Sequence, residues 1–269
     1  MKPIKKISIS GKGGTGKSML TTLLTNVLSE RGYTVLTVDS DDSNPGLYRM
    51  LGYNEAPRPL MDLFGGEKQV IAEIKRRTSQ SDEKPRAEWL TKESFTIDDI
   101  PDTFMLSNNG RKLIAVGKIT AAFEGCACPM AEVLKILLEK LVLRKKEIAI
   151  IDMEAGIEHF GRGVDKSIDT VLILVEPTFE SIALAAKVNF LARGSGVKNI
   201  WAVLNKIPSQ AVEDKVKDEL HKRDIAIIGT VHYDPKIAEI ALEGSPLEQS
   251  SAREEIEVIA DALLNSADN

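Results

Sequence analysis

Cysteine is nearly absent: the 269 residues hold two, Cys126 and Cys128. That is too few for a disulfide framework in a chain of this length. Histidine is as scarce, with only His159, His221 and His232, so the chain is no His-rich metal store. No apolar run approaches the roughly 18–20 residues a helix needs to span a bilayer. An excess of basic residues is also missing, with 35 Lys and Arg against 40 Asp and Glu and a net charge of -5. This balance argues against a protein built mainly to hold nucleic acid by charge. Lys2, Lys5 and Lys6 precede Ile7–Ser10, but the chain then runs straight into a Gly-rich turn. A secretory signal needs a longer apolar stretch and a cleavage site, so the expected location is the cytoplasm. Apolar residues at 43% and charged residues at 28% are the proportions of a globular protein and exclude global disorder.

Short apolar runs alternate with helical spacing along most of the chain. Strands are expected at Lys6–Ser10, Thr34–Asp39, Lys112–Val116, Glu147–Asp152, Asp169–Val175, Ile200–Asn205 and Ile225–Thr230. Several are unbroken Val/Ile/Leu runs, the composition of parallel strands buried on both faces. Between them Leu20, Leu23, Leu24, Val27 and Leu28 form one helical stripe that Gly32 is placed to end. Val133, Leu134, Leu137, Leu138, Leu141 and Val142 form a second. The expected fold is α/β: a doubly wound, mainly parallel sheet with helices on both faces, in one domain over residues 1–269. Ligands of such sheets bind at the carboxyl ends of the strands. The rhythm breaks from about Gly65 to Gly110, which reads as a polar insertion with one helix around Val70–Arg77 and irregular chain after it, loosest at Thr78–Pro85.

Gly11-Lys12-Gly13-Gly14-Thr15-Gly16-Lys17-Ser18 fits the phosphate-loop pattern G-x-x-x-x-G-K-[ST], which chance yields in only ~1% of chains this long. A strand precedes it and an amphipathic helix follows, as the motif requires. Its glycines let successive N–H groups wrap a β-phosphate at the positive end of the helix. Lys17 is expected at the β- and γ-phosphates and the Ser18 hydroxyl on Mg²⁺. Glu147–Asp152 is an apolar strand ending in an acid, which places Asp152 beside that Mg²⁺.

Lys12, a second lysine inside the loop, resembles the deviant phosphate loop of the family that includes the cell-division ATPase MinD, the plasmid-partition ATPases and the nitrogenase iron protein. The resemblance implies that Lys12 crosses a homodimer interface to touch the partner's nucleotide. It also implies a first switch at Asp39-Ser40-Asp41-Asp42, with Asp41 near the attacking water and Asp39 near the metal, and an N–H at Gly156, four residues beyond Asp152, that can sense the γ-phosphate. Asn205-Lys206 could be mistaken for the guanine-reading N-K-x-D element, but the fourth residue is Pro208, which has no carboxylate for guanine. In the resembled family an Asn at this position contacts adenine, so ATP is the expected nucleotide. Many relatives have proline where this chain has Glu154.

Both cysteines lie in Gly125-Cys126-Ala127-Cys128-Pro129. Pro129 suits the first position of a helix, which puts Cys128 near its N-cap, where thiolate charge is favoured. Two thiolates do not close a tetrahedral site, but a symmetric dimer with two such turns on its axis supplies four. The alternative is a pair of small buried hydrophobes. Gly-Cys-x-Cys-Pro together with Asp152-Met153-Glu154-Ala155-Gly156-Ile157-Glu158-His159-Phe160-Gly161-Arg162-Gly163 resembles the CooC family of nickel-insertion accessory ATPases. That resemblance accounts for Glu154. It implies a homodimer binding Ni²⁺ or Zn²⁺ through paired Cys126 and Cys128, with a nickel–iron–sulfur client, carbon monoxide dehydrogenase or acetyl-CoA synthase. His159 is read as a structural or switch contact before a metal ligand.

Three other readings stay open. A MinD- or partition-type positioning ATPase would need a basic membrane helix or DNA-binding face. The C-terminal stretch Ala252–Leu264 is amphipathic but acidic, so neither a membrane anchor nor a nucleic-acid partner is expected. An electron-transfer ATPase with a shared [4Fe–4S] cluster would also use four cysteines, but its relatives draw them from two separated positions in each chain. A nucleotide-gated scaffold with inert cysteines is the third.

Overall fold

A computed structural model of the protein describes residues 4–41, 46–79, 88–117, 128–154, 167–247 and 251–266. Eight strands form one sheet: β1 (Lys6–Gly11), β2 (Thr34–Asp39), β3 (Leu106–Asn108), β4 (Arg111–Ala115), β5 (Glu147–Asp152), β6 (Thr170–Val175), β7 (Asn199–Ile207) and β8 (Ile227–His232). Their order is β3-β4-β2-β5-β1-β6-β7-β8, parallel throughout except for the antiparallel β3–β4 pair at the edge. The seven expected strands are all present, Thr34–Asp39 and Glu147–Asp152 with the expected bounds and the others with an end displaced by at most two residues. β3 was not expected from the sequence. Asn109-Gly110 makes its two-residue turn, with φ of 46° and 80°, the positive pair that a tight hairpin demands.

The central strands are buried on both sides, and their residues alternate between the two cores. On β5, Ile148 and Ile150 face one side while Ala149 and Ile151 face the other. The helices are α1 (Lys17–Glu30), α2 (Glu67–Ser79), α3 (Cys128–Lys140), α4 (Phe179–Gly194), α5 (Gln210–His221), α6 (Pro235–Glu243) and α7 (Arg253–Asn265), with short helical turns between some of them. α1 presents its whole Leu20–Leu28 stripe to the first core and ends as expected at Gly32 (φ 81°). There the N–H of Tyr33 returns to the Leu28 carbonyl at 3.1 Å, closing the helix end. α7 shares that core, burying Ile256, Ile259, Ala260 and Leu263. The second core takes α3, α4 and α5.

Two expectations change. Val142 is not part of the α3 stripe: the helix stops at Lys140, the chain bridges to Phe95 through Leu141, and Val142 is half exposed. The Gly65–Gly110 segment is also more than a polar insertion. Its helix runs Glu67–Ser79, and Val70, Trp89, Phe95, Ile97, Ile100 and Phe104 are buried in the same core as the sheet. Trp89 stacks edge-on against Phe95 at 4.9 Å between ring centroids and tilts against Phe64 at 6.3 Å. These anchors are widely spaced along irregular chain, so no periodicity announces them.

Candidate functional site

Parallel register aligns the carboxyl ends of the central strands. Ile9 pairs with Asp152, Asp39 pairs with Asp152, and Gly11 pairs with Leu174. The loop after β1, the acids ending β2 and β5, and the turn after β6 therefore meet at one edge, as a doubly wound sheet requires.

The loop turns on three glycines with positive φ: Gly11 at 154°, Gly14 at 78° and Gly16 at 99°. A Cβ on Gly16 would lie 2.6 Å from Asn205 Nδ2, so only glycine fits there. The Thr15 N–H and hydroxyl both donate to the Lys12 carbonyl, at 3.2 and 2.8 Å, which curls Gly13 and Gly14 outward as an exposed crest. Among the described residues no side chain caps α1, and no acid sits in its first turn. The positive end of its dipole therefore favours an anion. Lys17 is buried, with Nζ 3.8 Å from Asp41 Oδ2.

Three acids lie beneath the loop. Asp39, Asp41 and Asp152 are all buried. The Ser18 hydroxyl donates to Asp152 Oδ2 at 2.6 Å. Asp152 Oδ1 is buried with no hydrogen-bond partner among the described residues. Burial pushes the Asp152 carboxyl up to about 7, and the Asp39 and Asp41 charges add to the rise, against the Ser18 hydrogen bond and the Lys17 charge. Ser40 ties the β2 and β5 ends together, its N–H and hydroxyl both donating to the Asp152 carbonyl at 3.1 and 2.7 Å. A buried, oxygen-only donor set with an open carboxylate oxygen fits a hard divalent cation such as Mg²⁺.

Asn205 closes the other side of the loop. Its Nδ2 donates to the Thr15 carbonyl at 2.6 Å, so in this geometry it braces the loop. Beside it opens a cleft of about 230 Å³ lined by Gly16, Met19, Asn205, His232, Tyr233 and Ile237 among others. The cleft's carboxylate, Asp234, caps α6 by accepting the Lys236 N–H at 2.8 Å and also accepts the Ser251 hydroxyl. The strand-end edge thus brings together Gly11, Lys12, Gly13, Gly14, Thr15, Gly16, Lys17, Ser18, Asp39, Asp41, Asp152 and Asn205.

The sequence reading overlooked Glu176, and weighed Lys206 only as part of a guanine-reading element and not as a site residue. Glu176 follows the apolar strand Val171–Val175 just as Asp152 ends β5, a signal that was available. Its carboxylate lies 3.7 Å from Lys12 Nζ and 3.6 Å from Lys206 Nζ. Lys206 has φ 56°, an uncommon conformation for a side-chain-bearing residue, and its Nζ donates to the Gly14 carbonyl at 2.5 Å. Irregular pairing of β7 with β8 between Leu204 and Ile207 accompanies that conformation. Gly156, His159 and Cys126 lie outside the described residues. Cys128 is described in backbone only, as the first residue of α3, one place inside the helix from its expected cap. Among the described residues no group of three or more His, Cys, Asp or Glu side chains is arranged to hold a metal ion, and no helix is long and apolar enough to cross a membrane.

Residues 6–247 match the model of the CobQ/CobB/MinD/ParA nucleotide binding domain. An ATP-binding protein of Methanocaldococcus jannaschii is 34% identical over 256 residues, covering 94% of this chain and 99% of its own length. The carbon monoxide dehydrogenase accessory protein CooC of Rhodospirillum rubrum is 33% identical across 86% of this chain and 85% of its own. Among solved structures, the MinD cell division protein of Aquifex aeolicus matches with a TM-score of 0.66 at 21% identity over 97% of both chains, a likeness of fold.

Proposed function

The chain belongs to the CobQ/CobB/MinD/ParA nucleotide binding domain family, and from that premise we propose that it is a dimeric ATPase that assists the maturation of a metalloenzyme. The observation that carries the nucleotide site is the uncapped α1 N-terminus set between the glycine loop and the buried acids. Phosphates sit on the leading N–H groups of α1, with Lys17 drawn from Asp41 toward the β- and γ-phosphates. Ser18 and Asp152 would hold Mg²⁺, with Asp39 beside it. When bound, the ion neutralises charge building on the phosphate oxygens. Asp41, freed from Lys17, orients the attacking water, and Lys12 reaches the nucleotide of a second copy. The Gly156 N–H senses the γ-phosphate. The apolar cleft beside Asn205 takes the base, and its one carboxylate is already engaged at the α6 cap, which suits adenine over guanine.

The client follows from the similarity to CooC, whose name makes it an accessory protein of carbon monoxide dehydrogenase. We assign this chain the same class of work: handling nickel (zinc is the other candidate) at Cys126 and Cys128, shared across the dimer, for a carbon monoxide dehydrogenase or acetyl-CoA synthase. Two sulfurs from each protomer complete a four-ligand set. The test is metal content under reducing, oxygen-free conditions after loading with Ni²⁺. About one metal per two wild-type chains, and none after Cys126→Ser with Cys128→Ser, is expected. No metal in either protein sinks the nickel reading and leaves a dimeric ATPase with inert thiols.

A further inference from the structure

The feature that the nucleotide chemistry leaves unused is the acid that faces the loop from the turn after β6. Glu176 sits in the tight turn between β6 and α4. Its backbone N–H donates to the Ser181 hydroxyl at 3.1 Å, and its carbonyl accepts the Thr178 N–H at 2.7 Å. Thr178 in turn caps α4, accepting the Ser181 N–H at 3.3 Å. The backbone of the turn is therefore held at several points, with the Glu176 carboxylate facing the loop. Against it lie two lysine ammoniums on long, flexible stems, Lys12 Nζ at 3.7 Å and Lys206 Nζ at 3.6 Å. The carboxylate is largely shielded, at 17% exposure, while the two lysines are 41% and 44% exposed. Lys206 also grips the Gly14 carbonyl, so one acid gathers both the loop crest and its signature lysine within a single protomer.

Resting on the reading that Lys12 acts across the dimer, we propose that Glu176 is a positioning residue that parks Lys12 in cis until nucleotide and a second copy compete for it. The ammonium cannot occupy both places. A lysine lying against Glu176 must leave it before reaching another protomer's phosphates. Glu176 thereby sets the threshold at which ATP drives dimerisation and suppresses pairing of empty chains. The pair is partly exposed, so its strength is modest, within the range of surface ion pairs. A symmetric dimer releases two Lys12 side chains, so the effect enters twice. Replacing Glu176 with Gln should tighten the nucleotide-driven dimer by about 2–30-fold.

Two measurements test this on the intact chain. The first uses the nucleotide-free monomer and a lysine-acylating reagent, with site-resolved mass spectrometry. Lys12 should react faster in Glu176→Gln than in wild type, while an exposed lysine remote from the site, Lys222, is unchanged. Equal Lys12 rates overturn the parking. The second measures the dimer dissociation constant by sedimentation with a non-hydrolysable ATP analogue, in wild type, Glu176→Gln, Lys12→Gln and the double variant. Glu176→Gln should tighten the dimer when Lys12 is present and have no effect when it is absent. Equal tightening in both backgrounds, or none in either, overturns the proposal. A Lys12→Gln protein that dimerises like wild type instead removes the trans role of Lys12, and that failure is read without touching Glu176. Glu176→Ser serves as the second variant if the Gln form folds poorly.

Discussion

Replacing Asp152 with Asn removes one charge from a fully buried site while keeping its shape. In wild type, burial holds the carboxyl at about 7 against an ordinary value of 3.8. Between those values the unfolded chain has released this proton and the folded chain still holds it. The folded state then binds more protons, so stability falls as pH rises through the window and the loss is complete above about 7. A gap of about 3 pH units, already net of the opposing Ser18 hydrogen bond and Lys17 charge, corresponds to about 4 kcal/mol. The amide of Asp152→Asn cannot ionise, so that variant lacks this dependence. In urea unfolding with EDTA and no nucleotide, the two proteins should have similar stability near pH 4. By pH 8 the Asn variant should be more stable by about 2–4 kcal/mol. It should at the same time lose magnesium-dependent turnover, because the open Oδ1 carboxylate oxygen is gone. A stability difference that stays flat from pH 4 to 8, or an Asn variant weaker at pH 8, would falsify the account of Asp152 as a strained buried acid.

The same acid links proton and metal. Below about 7 a proton occupies Asp152 in the metal-free protein, so the Mg²⁺ concentration needed for half-maximal ATP turnover should climb as pH drops from 8 to 6. A requirement that does not move with pH would separate Asp152 from the metal. Gly16→Ala forces a Cβ to within 2.6 Å of Asn205 Nδ2 at φ 99°. It should cost about 1–3 kcal/mol in thermal unfolding, and adding Asn205→Ala should recover part of that. Additive losses would mean that Asn205 does not brace the loop. Phe95→Ala should destabilise by about 3–5 kcal/mol, since Phe95 is buried against Trp89. A loss under about 0.5 kcal/mol would return the segment to a peripheral flap. Lys17→Ala should abolish nucleotide binding in a fluorescent-nucleotide titration, and retained ATP hydrolysis would place the ATPase elsewhere.

The parts of the molecule legible in the sequence are those written in consecutive residues. Leu20 through Leu28 declare a helix face because the spacing of one helix is a local property, and all five apolar residues of the stripe are buried as expected. The loop from Gly11 to Ser18 is legible because each backbone turn and each donor comes from the residue that makes it. Asp152 is legible because an acid ending an apolar strand has few places to go. Val142 was misplaced because a periodic pattern does not mark where the chain leaves the helix. The Trp89–Phe95 anchor was missed because two aromatics in irregular chain carry no period. The Asn109-Gly110 turn and the acid at Glu176 were both readable and were overlooked.

Sequence alone determined the alternation of strand and helix, the phosphate loop with its two lysines, and the acids at strand ends, since these depend on short-range spacing and side-chain chemistry. Tertiary structure decided which of those residues meet. The order β5-β1-β6-β7 sets Ser18 on Asp152 across 134 residues and Asn205 on Thr15 across 190. It gave Asn205 a bracing contact with the loop that no local pattern announces, and brought Lys12 to Glu176. Strand order is a choice among packings of equally apolar ribbons, made by the whole core at once, and short-range spacing does not encode it.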